Sequence, residues 1–469
     1  MCDNGGKQEL APEDEPEEFV FVLMRASFVH LADVHLGYEQ YGSRERFHDF
    51  GKAFRRILQD AIARRVDFVV IAGDLFNRRA IDAQTLMQAH EALRMLKDAG
   101  IPAVGIEGNH DRSFYREGTS WMQFLAWEGL VRLLDPLWSG GTPVLKSWDE
   151  DHEHAGYVDF HDGRLRVYGL PWYGASTVRM IEGLAAALTA ARGAEDAAGV
   201  EYRLLLLHTG LEGEVLHMHG LPTWAQFQPL RPLVDYVALG HVHKPYEKEN
   251  WLFNPGSTET WSAEEVAWER GYYYVTVDTD AARANPDQPR HRPEHVRNRQ
   301  RPFYRYQFRV DGLPDAERLY ERFERFCASE AESQDNRGAK PVVEISLHGT
   351  LLFDVGLLDQ ARLEETAKRC FDPLIVRVPN YTQDRESAIE ADSDELDRAN
   401  WHRLEQRIFG ELLARDVRFE ARRDEWARLL AELKQMALNG EPAEAIAGRL
   451  QTAWAELAAA VEGERSPSS

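Results

Sequence analysis

The segment SFVHLADVHLGYE (Ser27–Glu39) decides the fold: a short apolar run, then Asp33 and His35 where a buried strand has to end. The pattern recurs along the chain. VDFVVIAGD (66–74) carries Asp74 at the end of a β-branched run that suits a strand buried on both faces. IPAVGIEGNHD (101–111) carries Asn109, His110 and Asp111, YRLLLLH (202–208) carries His208, and VDYVALGHVH (234–243) carries His241 and His243. Helical periodicity separates the first three runs: Phe50, Phe54, Ile57, Leu58 and Ile62 share a face over 49–65, and a second helix is expected over 83–97. The order β-α-β-α-β predicts a layered α/β core, continued by LRVYGL (165–170) and closed near residue 280 by the alternating GYYYVTVD (271–278).

If the runs are neighbouring strands of one sheet, their carboxyl ends gather these polar groups along a single rim. Carboxylate, imidazole and amide oxygen ligands suit Mn, Fe or Zn, and a carboxylate can bridge two ions. The mixture points to a binuclear centre. Any one of these clusters alone would read as a turn or a cap. Five in succession, each ending an apolar run, predict metal binding instead. Gly73, Gly108 and Gly240 precede or nearly precede the polar groups and suit sharp strand exits.

The strings HLADVHLGYEQYG, DFVVIAGDLF, IEGNHDR, LLLLH, YVALGHVHKPY and NPGSTE together resemble the calcineurin-like metallophosphoesterases, and more narrowly the Mre11/SbcD family of DNA double-strand-break repair nucleases. The resemblance implies an α/β fold: a four-layer metallophosphoesterase β-sandwich flanked by helices, with a smaller α+β capping domain and C-terminal helices. It implies two divalent ions per chain, with Mn2+ the expected pair. Asp33, His35 and His243 would hold one ion, Asn109, His208 and His241 the second, and Asp74 both. His110 would contact phosphate and transfer a proton, with Asp111 orienting its ring. One departure stands out: archaeal members carry a histidine where GDLFNRR has Asn77, and the bacterial branch commonly replaces it too. That weakens any transfer of strand-end preference.

The resemblance further implies DNA as substrate, a homodimer, and docking of the C-terminal helices to a Rad50/SbcC-like ATPase. Candidate dimer residues are Phe47, Phe50, Phe54 and Leu86, whose periodicity fits an internal core equally well. Candidate docking residues are Trp401, Leu404, Ile408, Leu412, Phe419, Trp426, Leu430 and Leu433, an apolar set that ordinary helix packing also explains. No GxxxxGK[ST] loop occurs, so ATP hydrolysis would belong to the partner. Arg78, Arg79 and Arg112 beside the motifs, and Arg297, Arg299 and Arg301 within a series running from Arg290 to Arg309, are candidate DNA-phosphate contacts. Solvated loops are the competing explanation. His152, His154 and His161 lack a strand-end pattern and receive no metal. His217 and His219 read as surface-loop histidines with substrate contact near the cleft as the alternative, and Trp172 and Tyr173 are expected to support neighbouring loops, with direct DNA contact as the alternative.

Composition narrows the setting. The 469 residues carry 55 basic and 78 acidic side chains, a formal charge of −23, so attraction to a nucleic-acid backbone must be local. Three cysteines are too few for a disulfide scaffold. An acidic start without an apolar run, and no long apolar stretch, argue against export or membrane insertion and for a cytoplasmic or nucleoid-associated protein. The expected divisions are an acidic flexible tail at 1–24, a nuclease domain at 25–282, an Arg/Pro-rich linker at 283–302, a capping domain at 303–390, partner-binding helices at 391–462 and a tail at 463–469. The leading reading is a Mn-dependent DNA exonuclease and endonuclease. Metal chemistry alone also admits a phosphodiesterase acting on small nucleotides, and the partner helices admit a non-catalytic scaffold.

Overall fold

The computed structural model describes residues 24–113, 118–149, 154–215, 218–285, 287–334, 339–384, 409–410, 413, 422–438 and 441–463. The expected tails at both ends, apart from Met24 and Gly463, and Trp401, Leu404, Ile408, Leu412 and Phe419 lie outside them. The described chain forms two units. The first takes in most of the chain to residue 305 together with 339–344 and 372–376; the second holds 306–334, 345–371 and the described residues beyond 376.

In the first unit, β1 (Arg25–Leu31), β2 (Phe68–Ile71), β3 (Ala103–Gly105) and β4 (Arg132–Leu133) run parallel, alternating with α1 (Arg44–Arg64), α2 (Ala83–Asp98) and α3 (Trp121–Trp127). A small hairpin, β5 (Trp138–Ser139) and β6 (Thr142–Pro143), leads to a second sheet. That sheet is built from β7 (Tyr157–Phe160), β8 (Leu165–Leu170), β9 (Tyr202–His208), β10 (Tyr236–Gly240), β11 (Tyr246–Lys248) and β12 (Leu252–Asn254), with α4 (Thr177–Ala197) and the short α5 (Trp224–Phe227) between its strands. β13 (Gly271–Asp278) returns antiparallel to β1, and after α6 (Thr279–Ala284) comes β14 (His291–Arg297). The strand orders are β14-β13-β1-β2-β3-β4 and β11-β12-β10-β9-β8-β7.

The period-2 pattern explains the layering. Phe28, Phe68, Val70, Val104, Leu204, Leu206, Ala238 and Phe253 form the core between the sheets. Their neighbours of opposite parity, Val29, Leu31, Val69 and Ile71 on one sheet and Leu205, Leu207, Val237 and Leu239 on the other, pack under the helices. Helix, sheet, sheet and helix make the four layers. α1 shows the local logic: the Ser43 side chain accepts from Arg46 N–H at its start, and Arg65 closes it in the left-handed conformation. Phe47, Phe50 and Phe54 on its inner face are fully buried. They belong to the core, so they are not surface-dimer contacts; Leu86 is partly buried against the same cluster.

The expected linker is corrected. Within 283–302, residues His291–Arg297 form β14, pairing with Gly271–Val277 of β13, because proline is excluded only from central strands. β14 is an edge strand, and Pro293 is tolerated there.

The second unit carries most of a four-stranded sheet of β15 (Phe303–Arg309), β16 (Val342–Leu351), β17 (Ile375–Arg377) and β18 (Asn380–Asp384), with α7 (Ala316–Glu332) and α8 (Gln360–Phe371). Farther along, α9 (Arg423–Leu438) and α10 (Ala443–Gly463) pair through Trp426, Leu429 and Ala453, and Arg449 meets Glu432 in a bidentate ion pair at 2.7 Å. Trp426 and Leu433 contribute to this local packing, whereas Leu450 and Trp454 are exposed. No helix among the described residues is long and apolar enough to cross a membrane.

Candidate metal centre

The ligand-type side chains do converge, but on two sheets rather than one. Asp33, Asp74 and Asn109 follow the carboxyl ends of the adjacent parallel strands β1, β2 and β3, while His208 ends β9 and His241 and His243 follow its parallel neighbour β10. Because the two sheets stack face to face, their carboxyl rims meet. Among the described residues three sets have ligand atoms within 4.8 Å of one another: Asp33, His35 and His243; His35, Asp74 and His110; Asp74, His208 and His241. Asn109 joins the third, its Oδ1 lying 3.1 Å from His208 Nε2 and 2.9 Å from His241 Nδ1.

The backbone is bent to deliver them. Asp33, His35, Asp74 and His241 all have positive φ, between 52° and 84°. Asp and His enter this region more readily than most residues, yet each such position costs about 1 kcal/mol or more and persists only where surrounding structure enforces it. Hydrogen bonds between the strand exits supply that enforcement: Asp33 N–H donates to the Gly73 carbonyl, Val34 and His35 N–H to that of Asp74, and His241 N–H to both Asp33 carboxylate oxygens at 3.0 Å. The three glycines are required for space. A Cβ on Gly108 would lie 2.0 Å from Asp74 Oδ1, one on Gly73 2.2 Å from His208 Nδ1, and one on Gly240 2.2 Å from the Ala72 carbonyl.

Hydrogen bonds behind the rings fix what the rings present. His208 Nδ1 lies 2.7 Å from the Ala72 carbonyl and His243 Nδ1 2.7 Å from Glu265 Oε1. Both partners only accept, so each Nδ1 carries a proton and each Nε2 faces inward. His243 Nε2 then sits 3.0 Å from His35 Nε2, and His208 Nε2 3.1 Å from Asn109 Oδ1. Which group donates in each contact is set by the protons the rings carry. Each contact closes as a hydrogen bond when a facing ring nitrogen carries a proton, and a divalent cation can take that proton's place. In addition, His35 Nδ1 is buried without a hydrogen-bond partner.

Proton energetics follow the same geometry. Burial disfavours the imidazolium of His208, but the Asp74 carboxylate 3.4 Å away outweighs it and holds the group up at about 9. Burial would raise Asp74; the surrounding histidines, His208 first, bring it below the usual carboxylate range. Burial, then the charge on His208, pushes His241 down to about 3. His243 is lowered by burial and raised by Glu265, with the carboxylate prevailing. A proton on His208 thus supplies the charge that the donor set demands. Two carboxylates, four imidazoles and an amide oxygen fit a pair of divalent ions.

His110 stands beside this set, its ring 5.0 Å from that of His35 and its N–H bonded to Asp74 Oδ1 at 2.9 Å. The expectation that Asp111 orients the His110 ring is corrected. The Asp111 carboxylate accepts the N–H groups of Leu75, Phe76 and Gly108, buckling the GDLF and GNHD loops together, whereas His110 Nδ1 is 2.6 Å from the Asn77 carbonyl. The arginines divide. Arg78 is exposed and Arg79 half-buried, Arg112 donates to the Trp172 carbonyl at 2.8 Å, and Arg299 is exposed after β14. Arg301 grips both oxygens of buried Asp49, so it is a structural cation; Arg297 pairs with Glu269. Trp172 N–H donates to the Glu107 carbonyl, as loop support requires. His154, His161 and His219 fall outside the three sets; His152 and His217 lie outside the described residues.

Sequence reasoning missed Glu265, the Ala72 and Asn77 carbonyls, and Trp261, whose ring is 6.0 Å from His35 and 5.7 Å from His243. Glu265 follows its histidine by 22 positions without a local motif. Backbone carbonyls carry no residue signature at all.

Residues 26–245 match the calcineurin-like phosphoesterase family. The DNA double-strand break repair protein Mre11 of Methanosarcina acetivorans is 32% identical over 267 residues, 53% of this chain and 36% of that protein. The Mre11 of Aeropyrum pernix is 29% identical over 264 residues, 54% of this chain and 58% of its own length. That of Archaeoglobus fulgidus is 50% identical over 86 residues, covering 18% and 19%. The chain therefore spans about a third of the length of the Methanosarcina protein. With the four-layer core and the converging motif residues, these matches place residues 26–245 in the calcineurin-like phosphoesterase family and make the chain similar to Mre11 proteins.

Proposed function

We propose that this chain is a Mn-dependent nuclease that hydrolyses DNA phosphodiester bonds at or near ends, acting with a Rad50/SbcC-like ATPase in break repair. The observation that supports the hydrolase reading is the convergence of two carboxylates, four imidazoles and an amide oxygen into overlapping ligand sets at the meeting rims of two sheets. The DNA substrate and the ATPase rest on the Mre11 relatives. Asp33, His35 and His243 would hold one ion, Asn109, His208 and His241 the other, and Asp74 both. Bound there, the pair supplies Lewis-acid charge to the scissile phosphate and lowers the pKa of a water.

The chain's own residues do the rest. With Nδ1 of His110 committed to the Asn77 carbonyl, Nε2 is the nitrogen left to hold or deliver a proton at the leaving oxygen. Gly108 and Gly73 let backbone pack against the carboxylates and rings without intervening side chains. Arg78 and Arg299, both exposed, are the candidates for neighbouring phosphates, where each contact would steepen the salt dependence of binding.

Metal-free protein incubated with labelled linear duplex, hairpin and single-stranded DNA tests the reading when Mn is restored. Two ions should bind per chain and cleavage should return with them; His110→Gln should fold and keep the ions while losing roughly 10²–10⁴ of the rate. Hydrolysis confined to small diesters would overturn the DNA assignment. Deleting 395–469 should abolish ATPase association, and retained association would reject that docking region.

A further inference from the structure

His110 has a support outside its own motif. Its Nδ1 is 2.6 Å from the Asn77 carbonyl oxygen, which can only accept, so the ring proton resides on Nδ1 and Nε2 faces the cluster of His35 and Asp74. Asn77 is in turn held at two further points: its N–H donates to the Leu36 carbonyl at 2.9 Å, and its side-chain Oδ1 accepts the indole Nε1–H of Trp261 at 3.2 Å.

Trp261 is itself anchored on every side the structure describes. The indole stacks on Tyr38 with centroids 5.2 Å apart and planes 21° from parallel. The Trp261 carbonyl accepts from Gln40 Nε2 at 2.8 Å, and its N–H donates to Glu265 Oε2 at 3.3 Å, the carboxylate whose other oxygen takes His243 Nδ1. Gln40 is locked by Arg46, a fully buried guanidinium that also bonds Glu259 and the Thr260 carbonyl. A rigid buried network thus ends in a single indole N–H aimed at the residue that aims His110.

We infer that Trp261 and Asn77 are positioning residues for His110, the indole N–H fixing Asn77 so that its carbonyl sets the tautomer and direction of the imidazole. This rests on the proposed proton-transfer role of His110. A neutral amide suits the position because it accepts the indole proton without adding another carboxylate beside Asp74. Misplacing the imidazole affects the proton transfer and not the binding of the diester, so the loss belongs in kcat.

The test uses full-length protein with Mn and two substrates, linear duplex DNA and bis(4-nitrophenyl) phosphate, plus the imidazole nitrogen shifts of His110 in labelled metal-free protein. Trp261→Phe, which keeps an aromatic ring and loses the N–H, should lower kcat about tenfold with KM and bound Mn unchanged, and should move His110 from the pure Nδ1–H tautomer toward a mixture. Asn77→Ala should do the same. The double variant should be no worse than the poorer single one, and in a His110→Gln background Trp261→Phe should cost nothing further.

Unchanged kcat and nitrogen shifts, additive losses, or a full Trp261→Phe loss in the His110→Gln background would each overturn the inference. If Trp261→Phe fails to fold, 3-benzothienylalanine at 261, similar in shape and lacking the N–H, carries the same comparison. Normal turnover of both substrates by His110→Gln would instead sink the role of His110 itself, and hydrolysis of the small diester without DNA cleavage would sink only the DNA assignment.

Discussion

Two buried polar regions of the first unit, the candidate metal centre and the cluster around Arg46, are alike in burial, and each keeps a buried polar atom without a partner, His35 Nδ1 and Glu259 Oε2. They differ in what is gathered: guanidinium donors on carboxylates around Arg46, ligand-type side chains on strained backbone in the metal centre. Arg46 gives Nε to Gln40, one terminal nitrogen to Asp49 and the other to Glu259 and the Thr260 carbonyl, while Asp49 also receives both arms of Arg301. In the metal centre, imidazole nitrogens face one another or an amide oxygen, and four contributing residues sit at positive φ. Buried charge alone does not mark a functional site. Ligand-type side chains brought together on strained backbone do, because such strain persists only where the surrounding structure enforces it.

The largest expected effect breaks the comparison from the metal side. Asp74→Ala removes the carboxylate common to two ligand sets and should cut diester hydrolysis roughly a thousandfold, about 4 kcal/mol of barrier, with bound Mn falling in parallel. Full activity in this variant would show that the set is not the centre. Asp49→Ala probes the other region: two guanidiniums lose their shared carboxylate, one of them buried, so urea unfolding should report a loss of about 3 kcal/mol. Folded Asp49→Ala protein should still bind Mn. If it loses metal before it loses stability, the two regions are one.

Protons sharpen the contrast next. His208 keeps its proton up to about 9, and an ion must displace it, so Mn affinity should climb with pH toward 9 by about tenfold per unit and level off above. Calorimetric titration from pH 6.5 to 9 checks the slope, and a flat profile would mean that His208 is not a ligand. The smallest effect is at Arg297, which pairs with Glu269 on the edge strand and is 75% exposed: Arg297→Ala should shift stability by less than about 0.5 kcal/mol. A larger shift in thermal unfolding would place it with Asp49 rather than on the surface.

Much of this was legible from sequence for a local reason. A strand buried on both faces must be apolar throughout, so the polar residues that end it stand out, and Asp33, Asp74, Asn109, His208 and His241 were singled out that way. Edge strands give no such contrast, and β14 therefore read as a linker. Arg301 could not be told from a phosphate contact because the carboxylate it grips lies 252 positions away.

The amino-acid order by itself determined the strand–helix alternation, the donor types and the glycines that leave room for them, since these follow from period, ligand chemistry and side-chain size. Only the tertiary structure decided that two sheets share the rim, that Asp111 ties loops while Asn77 aims His110, and that Glu265 stands behind His243. Hydrogen bonds act over about 3 Å regardless of separation along the chain, and those made by a backbone carbonyl leave no trace in residue identity.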